Sequence, residues 1–191
     1  MWPTNFNYVR AESVEAAVKL INEHDDAKLV AGGHSLLPAM KLRLATPATL
    51  VDISRVAGLD SISTSNGHLK IGALATHAAI SSSADVQTHA PALAQAASLI
   101  GDQQVRNFGT LGGNIAHAVP ASDPPTVLVA YGATVHLHGP ERSRDLTAED
   151  FFVDLFAASL AEGEIVTGVS IPSASGRKSA YAKLLHPASR Y

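Results

Sequence analysis

Cysteine is absent from this chain of 191 residues. Without thiols, the chain cannot form a disulfide scaffold, a thiolate zinc site or a thiolate-held iron–sulfur cluster. It has no cluster of Lys and Arg, and its formal net charge is −3, which argues against binding to nucleic acid. Its apolar segments are broken by Gly, His or a charged residue well before the ~18 residues that a membrane span needs.

The remaining composition is that of a folded protein. Hydrophobic residues make up 46% and charged residues 16%, so the chain can bury a core and is not disordered. Its first residues, Met1 to Asn5, lack the positive charge and apolar run of a signal peptide. We therefore expect a cytoplasmic protein with no membrane span.

The first fifty residues have the pattern of a small parallel α/β unit. Ser13 is placed to cap a helix, and Pro38 lies where the first turn of a second helix, ending near Leu44, would begin. Short apolar runs at residues 28–31 and 49–53 predict buried strands. The alternation of strand and helix predicts one lobe over residues 1–58.

The pattern changes after Gly58. Asn66-Gly67 between two alternating segments is a strong signal for a β-hairpin. Further helices and strands are predicted at residues 91–100, 124–131, 134–138 and 164–171. The fold class is therefore α+β, with a second and larger lobe, residues 59–191, built on a mostly antiparallel sheet.

Two glycine pairs stand out as sites for a ligand. One lies in residues 31–35 and the other in residues 109–114, and each is followed by polar side chains. Consecutive glycines let neighbouring backbone N–H groups turn toward one anion. Neither pair matches the usual dinucleotide or P-loop pattern, and a lone glycine pair is more often a tight turn. Taken alone, the residues leave both a phosphate site and simple turns open.

A resemblance to a known family favours the ligand site. Residues 31–38, continuing into 40–43, resemble the first flavin motif of the FAD-binding (medium) subunits of molybdenum hydroxylases, the carbon monoxide dehydrogenase and xanthine dehydrogenase family. Residues 104–123 resemble the second motif of that family, and residues 181–183 and 186–189 resemble the segment that follows. The resemblance implies a two-lobed, PCMH-like FAD-binding fold, with non-covalent FAD held between the lobes.

The same resemblance assigns roles to individual residues. The diphosphate and ribityl region falls to Val30, Ala31, Gly32, Gly33, His34, Ser35, Leu36 and Leu37. A second set of contacts falls to Thr110, Gly112, Gly113 and Asn114. The other implied contacts are an apolar one from Ile100, a ribose acceptor at Asp123, a backbone contact at Val166 and a cation near the isoalloxazine at Lys183.

Several of these residues have simpler explanations. Asp123 precedes Pro124-Pro125 and is also a natural helix cap. Lys183 could be an ordinary solvated residue on a strand, and Val166 a core residue. Tyr191 could cover the flavin or could simply be a frayed terminal residue.

Other chemistries receive less support from the sequence. His117, His136, His138 and Asp123 contain enough ligands for a metal, but they have no recognised metal-binding frame, and surface histidines explain them better. A Ser/His/Asp triad lacks the G-x-S-x-G elbow. We predict no metal site and no catalytic acid or base.

The resemblance implies an electron-transfer subunit. Electrons would come from a molybdenum-cofactor large subunit through an iron–sulfur small subunit, and would leave to an external acceptor. The alternatives are a flavin-free scaffold of the same fold and a stand-alone oxidase with flavin bound covalently through His34 or His117. Because family members usually continue beyond Tyr191, we expect their small C-terminal domain to be absent or truncated here.

Overall fold

A computed structural model describes residues 2–173 and 178–185 of the chain. The predictions at residues 186–189 and at Tyr191 lie outside the described residues. The first lobe is a parallel three-stranded sheet in the order β1-β3-β2. Its elements are β1 (Asn7–Arg10), α1 (Val14–Glu23), β2 (Ala27–Val30), α2 (Leu36–Lys41) and β3 (Thr49–Asp52). The predicted parallel α/β arrangement is confirmed.

The two helices of this lobe begin differently from each other. The Ser13 hydroxyl accepts a hydrogen bond from the Ala16 N–H, so α1 is capped as predicted. The prediction that α2 would start at Pro38 and end near Leu44 is wrong, because the helix covers Leu36–Lys41. Leu37 N–H donates to the Gly33 carbonyl, so the first turn grows directly out of the glycine loop.

The second lobe is built on a five-stranded antiparallel sheet in the order β4-β5-β10-β6-β7. Its strands, with the small β8-β9 pair, are β4 (Ile62–Ser65), β5 (His68–Gly72), β6 (Thr134–His138), β7 (Ser143–Thr147), β8 (Phe152–Asp154), β9 (Ala157–Ala158) and β10 (Ile165–Pro172). Its helices are α3 (His77–Ser82), α4 (Ala84–His89), α5 (Pro91–Ser98), α6 (Gln103–Phe108), α7 (Leu111–His117), α8 (Asp123–Ala130) and α9 (Ala148–Phe151). The predicted antiparallel lobe is confirmed.

Local signals explain several of these elements. Asn66 and Gly67 both have positive φ, as the predicted two-residue hairpin between β4 and β5 requires. Pro91 starts α5 as predicted, but the helix ends at Ser98 rather than at Ile100.

Two hydrophobic clusters hold the fold together. The larger one lies between the antiparallel sheet and its helices and includes Ile80, Leu93, Leu128 and Phe151. The smaller one combines α1 and the parallel sheet with residues of the second lobe, namely Leu59, Leu74 and Ile165. The two lobes therefore share a packed core.

Among residues 2–173 and 178–185, no helix has both the length and the apolar character that crossing a bilayer would require.

Candidate functional site

The first glycine motif forms a loop between β2 and α2. Val30 ends the strand, residues 31–35 make the turn, and Leu36 and Leu37 begin the helix. Gly33 has a φ of +71°, which a glycine adopts without the cost that a side chain would impose. Among the described residues, the backbone N–H groups of residues 32–36 have no hydrogen-bond acceptor. The loop therefore offers a row of donors for an external group.

This loop touches the segment that carries the second motif. A Cβ built on Gly32 would lie 1.8 Å from the Phe108 carbonyl oxygen, so only glycine permits the contact. The His34 ring stacks on the Phe108 ring with centroids 5.4 Å apart and planes 10° apart. The two glycine motifs, far apart in sequence, therefore meet at this point.

The second motif is a helix rather than a glycine loop. Thr110 caps α7, and its hydroxyl accepts from the Gly113 N–H at 3.2 Å. Leu111 and Gly112 N–H donate to the Ala75 and Ala73 carbonyls at 3.0 and 2.8 Å. The expectation that the second glycine pair turns free backbone N–H groups toward an anion is therefore wrong, because these donors already have acceptors inside the protein.

The glycine pair of α7 has two different environments. A Cβ on Gly112 would lie 2.5 Å from the Ala73 Cβ, so this glycine allows the helix to pack closely on the chain after β5. Gly113 is exposed, and a Cβ built on it would lie 2.9 Å from the Thr110 hydroxyl oxygen. Asn114 follows in the same helix, and its Oδ1 accepts from the Ser122 hydroxyl at 2.6 Å.

Asp123 is the first residue of α8, and its carboxylate is buried. Lys183 Nζ donates to Oδ2 at 2.8 Å, and the Tyr181 hydroxyl donates to Oδ1. The side chains of Lys183 and Asp123 are only 14% and 6% exposed, so this is a buried ion pair. Two effects raise the pKa of Tyr181 to about 12: burial, which is the larger one, and the hydrogen bond to Asp123. The phenol therefore stays protonated and can donate.

These contacts correct two alternative interpretations from the sequence. Asp123 does not cap α8: Ser122 occupies the cap position, and both oxygens of Asp123 bind other side chains. Lys183 is not a solvated strand residue, because residues 178–185 form no strand and its ammonium is paired. Both oxygens of Asp123 already accept hydrogen bonds from Tyr181 and Lys183, so a ribose hydroxyl that donates to Asp123 would share an oxygen with one of them.

His77 is a site residue that the sequence analysis missed. It is the first residue of α3, its N–H donates to the Gly109 carbonyl at 3.0 Å, and its ring lies where a Gly109 Cβ would be 2.9 Å away. Burial lowers the pKa of His77 to about 4, opposed by the negative charge of Asp123, so the ring is neutral. The only signal in the sequence was Thr76, whose hydroxyl caps the helix.

The two remaining predicted site residues, Ile100 and Val166, belong to other elements than the first loop. Ile100 lies between α5 and α6, half-buried, and its carbonyl accepts from Arg106 Nη1 at 3.1 Å. Val166 lies in β10 with its side chain in the larger hydrophobic cluster, so only its backbone could face a ligand.

The histidines do not form a metal centre within the described residues. His136 instead bridges neighbouring strands: its Nδ1 hydrogen-bonds Asp145 at 2.7 Å and its Nε2 hydrogen-bonds Ser170 at 2.6 Å. The order of these groups is that of a hydrolase triad. Ser170, however, lies within β10, which is paired on both sides, and not on the exposed turn that a nucleophilic serine needs.

The site fits a ligand with a diphosphate. Since no described residue accepts from the N–H groups of residues 32–36, these donors suit an anion, and no fixed positive charge is required. Comparison with known proteins decides which family uses this arrangement. Residues 4–174 match the model of the FAD binding domain in molybdopterin dehydrogenase. The chain belongs to this family.

Members of the family are similar to the chain throughout. It is 41% identical over 191 residues to the glyceraldehyde dehydrogenase medium chain of Sulfolobus acidocaldarius, covering 100% of this chain and 68% of the relative. It is 44% identical over 186 residues to the carbon monoxide dehydrogenase medium chain of Hydrogenophaga pseudoflava, covering 96% and 65% of the two chains. The chain therefore spans about two thirds of the length of these medium chains.

The fold agrees as well. A chain in the crystal structure of the cyanide-inactivated Cu,Mo-CO dehydrogenase superimposes with a TM-score of 0.94 at 37% identity, covering 97% of this chain and 66% of that one. The fold of the FAD-binding domain and the family expected from the two glycine motifs are both confirmed. FAD is the cofactor of this family of domains.

Proposed function

We propose that the chain is the FAD-binding electron-transfer part of a molybdenum-containing hydroxylase or dehydrogenase. A partner chain with iron–sulfur clusters would deliver electrons, a molybdenum-cofactor large subunit would oxidise the substrate, and an external acceptor would receive the electrons. The relatives named above are medium chains, and one solved relative is by name a Cu,Mo enzyme. The absence of cysteine fits this division, since no thiolate-held cluster can form in this chain.

The observation that carries the proposal is the free donor row of the first loop at its contact with Phe108. The N–H groups of residues 32–36 would bind the diphosphate, and His34 and Ser35 lie at the exposed rim. Gly113 and Thr110 would contact the cofactor from α7, and Ile100 would add an apolar contact. Lys183 would place a positive charge near the isoalloxazine. Bound FAD supplies a group that accepts and passes on electrons, and the protein orients it and tunes its potential.

The boundary between the two lobes belongs to the same proposal. Residues 1–58 would form the small FAD-binding lobe and residues 59–191 the larger one, with the cofactor between them. The location we propose is the cytoplasm. The small C-terminal domain that family members usually carry would complete the cover of the flavin.

The proposal is tested by purifying the tagged chain from its native source and measuring FAD, molybdenum and iron. We expect equal amounts of FAD and molybdenum, together with iron from the iron–sulfur partner chain. Acid precipitation should release the flavin into a yellow supernatant, because no covalent bond is expected at His34 or His117. A chain that purifies without flavin would contradict FAD binding and support the scaffold alternative. A yellow pellet, with neither molybdenum nor iron, would support the stand-alone oxidase instead.

A further inference from the structure

The segment 178–185 is fixed to the second lobe by polar contacts. Tyr181 N–H donates to Gln95 Oε1 of α5 at 2.8 Å. Ser179 shares a hydrogen bond of 2.6 Å with the Tyr131 hydroxyl, which also accepts from the Ala92 N–H. The two remaining contacts, from Tyr181 and Lys183, converge on the carboxylate of Asp123. The position of Lys183 therefore depends on how this carboxylate is held.

Asp123 has one positive partner and one neutral donor. The phenol of Tyr181 stays protonated, and because a carboxylate oxygen can only accept, the hydroxyl donates to Oδ1. The remaining oxygen, Oδ2, receives the Lys183 ammonium. His77 lies close enough for the charge of Asp123 to act on it, but burial keeps its ring neutral. Lys183 is therefore the cation that balances Asp123 in this buried cluster.

We propose that Tyr181 is a positioning residue for Lys183. By occupying Oδ1, its hydroxyl fixes the rotation of the carboxylate, and this directs Oδ2 toward the ammonium. Without that hydroxyl, the carboxylate can turn, and Lys183 loses its defined place beside the second motif. The inference rests on the proposed function, in which the Lys183 charge faces the flavin.

The variant Tyr181→Phe tests this, because it keeps the aromatic ring and removes only the hydroxyl. The matched control is Tyr131→Phe, which removes another hydroxyl that binds the same segment but does not touch Asp123. The dissociation constant of FAD is measured by fluorescence quenching for the full chain, along with the flavin midpoint potential. A hydrogen bond to a charged group is worth enough for FAD binding to weaken about tenfold in Tyr181→Phe. Tyr131→Phe should change it less than about twofold.

Coupling to Lys183 separates a positioning role from a purely structural one. In a Lys183→Met background, Tyr181→Phe should have little further effect on FAD affinity, because the charge it positions is gone. In the parent chain, Tyr181→Phe should also shift the midpoint potential in the same direction as Lys183→Met. Equal effects of Tyr181→Phe in both backgrounds, or an equal effect of Tyr131→Phe, would overturn the inference. A Lys183→Met chain with unchanged affinity and potential would overturn the proposed role of Lys183 as well, whereas loss of FAD from the parent chain would overturn the proposed function itself.

Discussion

Single residues determine how the site is charged. His77 and Asp123 are both buried, yet one is neutral and the other is paired with Lys183. The sequence identified Asp123 and Lys183 through the family motif, but it gave no sign that the two residues bind each other. Their pairing depends on the path of residues 178–185, which no local pattern specifies. His77 was missed because its burial, which makes it neutral, is a property of the folded chain and has no signal in the sequence.

The buried His77 makes the protein sensitive to acid. Its pKa is about 4 in the folded state and about 6.5 when unfolded, so the unfolded chain binds more protons between these values. The stability that the neutral ring contributes is fully present above pH 6.5 and is lost as the pH falls toward 4. The loss in unfolding free energy over this range is about a few kcal/mol.

We therefore predict that His77→Leu flattens the dependence of the unfolding free energy on pH between 4 and 6.5. Urea unfolding followed by circular dichroism at several pH values measures this. The control is His68→Gln, at an exposed histidine of β5, which should keep the slope of the parent chain. The same slope in His77→Leu and the parent would show that His77 is not the group responsible.

Helix α7 shows how one motif can serve two purposes. Gly112 lies against Ala73, and Gly113 is exposed on the next position of the same helix. The sequence predicted that the N–H groups around both glycines turn toward an anion, because it could not show that Thr110 caps a helix. The first loop was predicted correctly as a turn after a strand, since a short apolar strand that runs into two glycines has few other outcomes, although β2 is only partly buried.

The two glycines of α7 should therefore respond differently to alanine. Gly112→Ala forces a Cβ to within 2.5 Å of the Ala73 Cβ and should destabilise the fold by about 1–3 kcal/mol. Gly113→Ala should leave thermal stability nearly unchanged, because the preference of about 1 kcal/mol for alanine over glycine in a helix offsets the close approach of the new Cβ to the Thr110 hydroxyl, at 2.9 Å. It should, however, weaken FAD binding, because α7 contacts the cofactor in the proposed function. Thermal unfolding and FAD titration of both variants measure this, and equal loss of stability would contradict the packing argument.

The contact between the first loop and Phe108 gives a further prediction at the level of elements. Gly32→Ala places a Cβ 1.8 Å from the Phe108 carbonyl oxygen, so the loop must move away from the second motif. We expect the variant to lose most of its FAD in equilibrium titration. A matched control is Gly58→Ala. Gly58 has a φ of +82° and nothing within 4 Å of an added Cβ, so alanine there strains the backbone but meets no neighbouring atom. If Gly32→Ala binds FAD as well as Gly58→Ala, the contact is unimportant.

The whole molecule follows the two-lobed plan that the sequence suggested. The change from parallel to antiparallel pairing near residue 58 could be predicted because strand–helix alternation and hairpins have distinct local signals. The shared core could not be predicted, because Leu74 and Ile165 join residues of α1 and β3 in one cluster from far along the chain. This core fixes the relative position of the lobes, and so brings Gly32 to Phe108.

The first loop is the proposed diphosphate site, and FAD binding depends on it more than on any other part of the molecule. A crystal structure of the full chain with FAD tests this most directly. We predict that the phosphate oxygens lie within hydrogen-bond distance of the N–H groups of residues 32–36, while Gly112 and Gly113 keep their bonds to Ala73 and Thr110. A diphosphate bound elsewhere, with the N–H groups of the first loop still lacking an acceptor, would contradict the account.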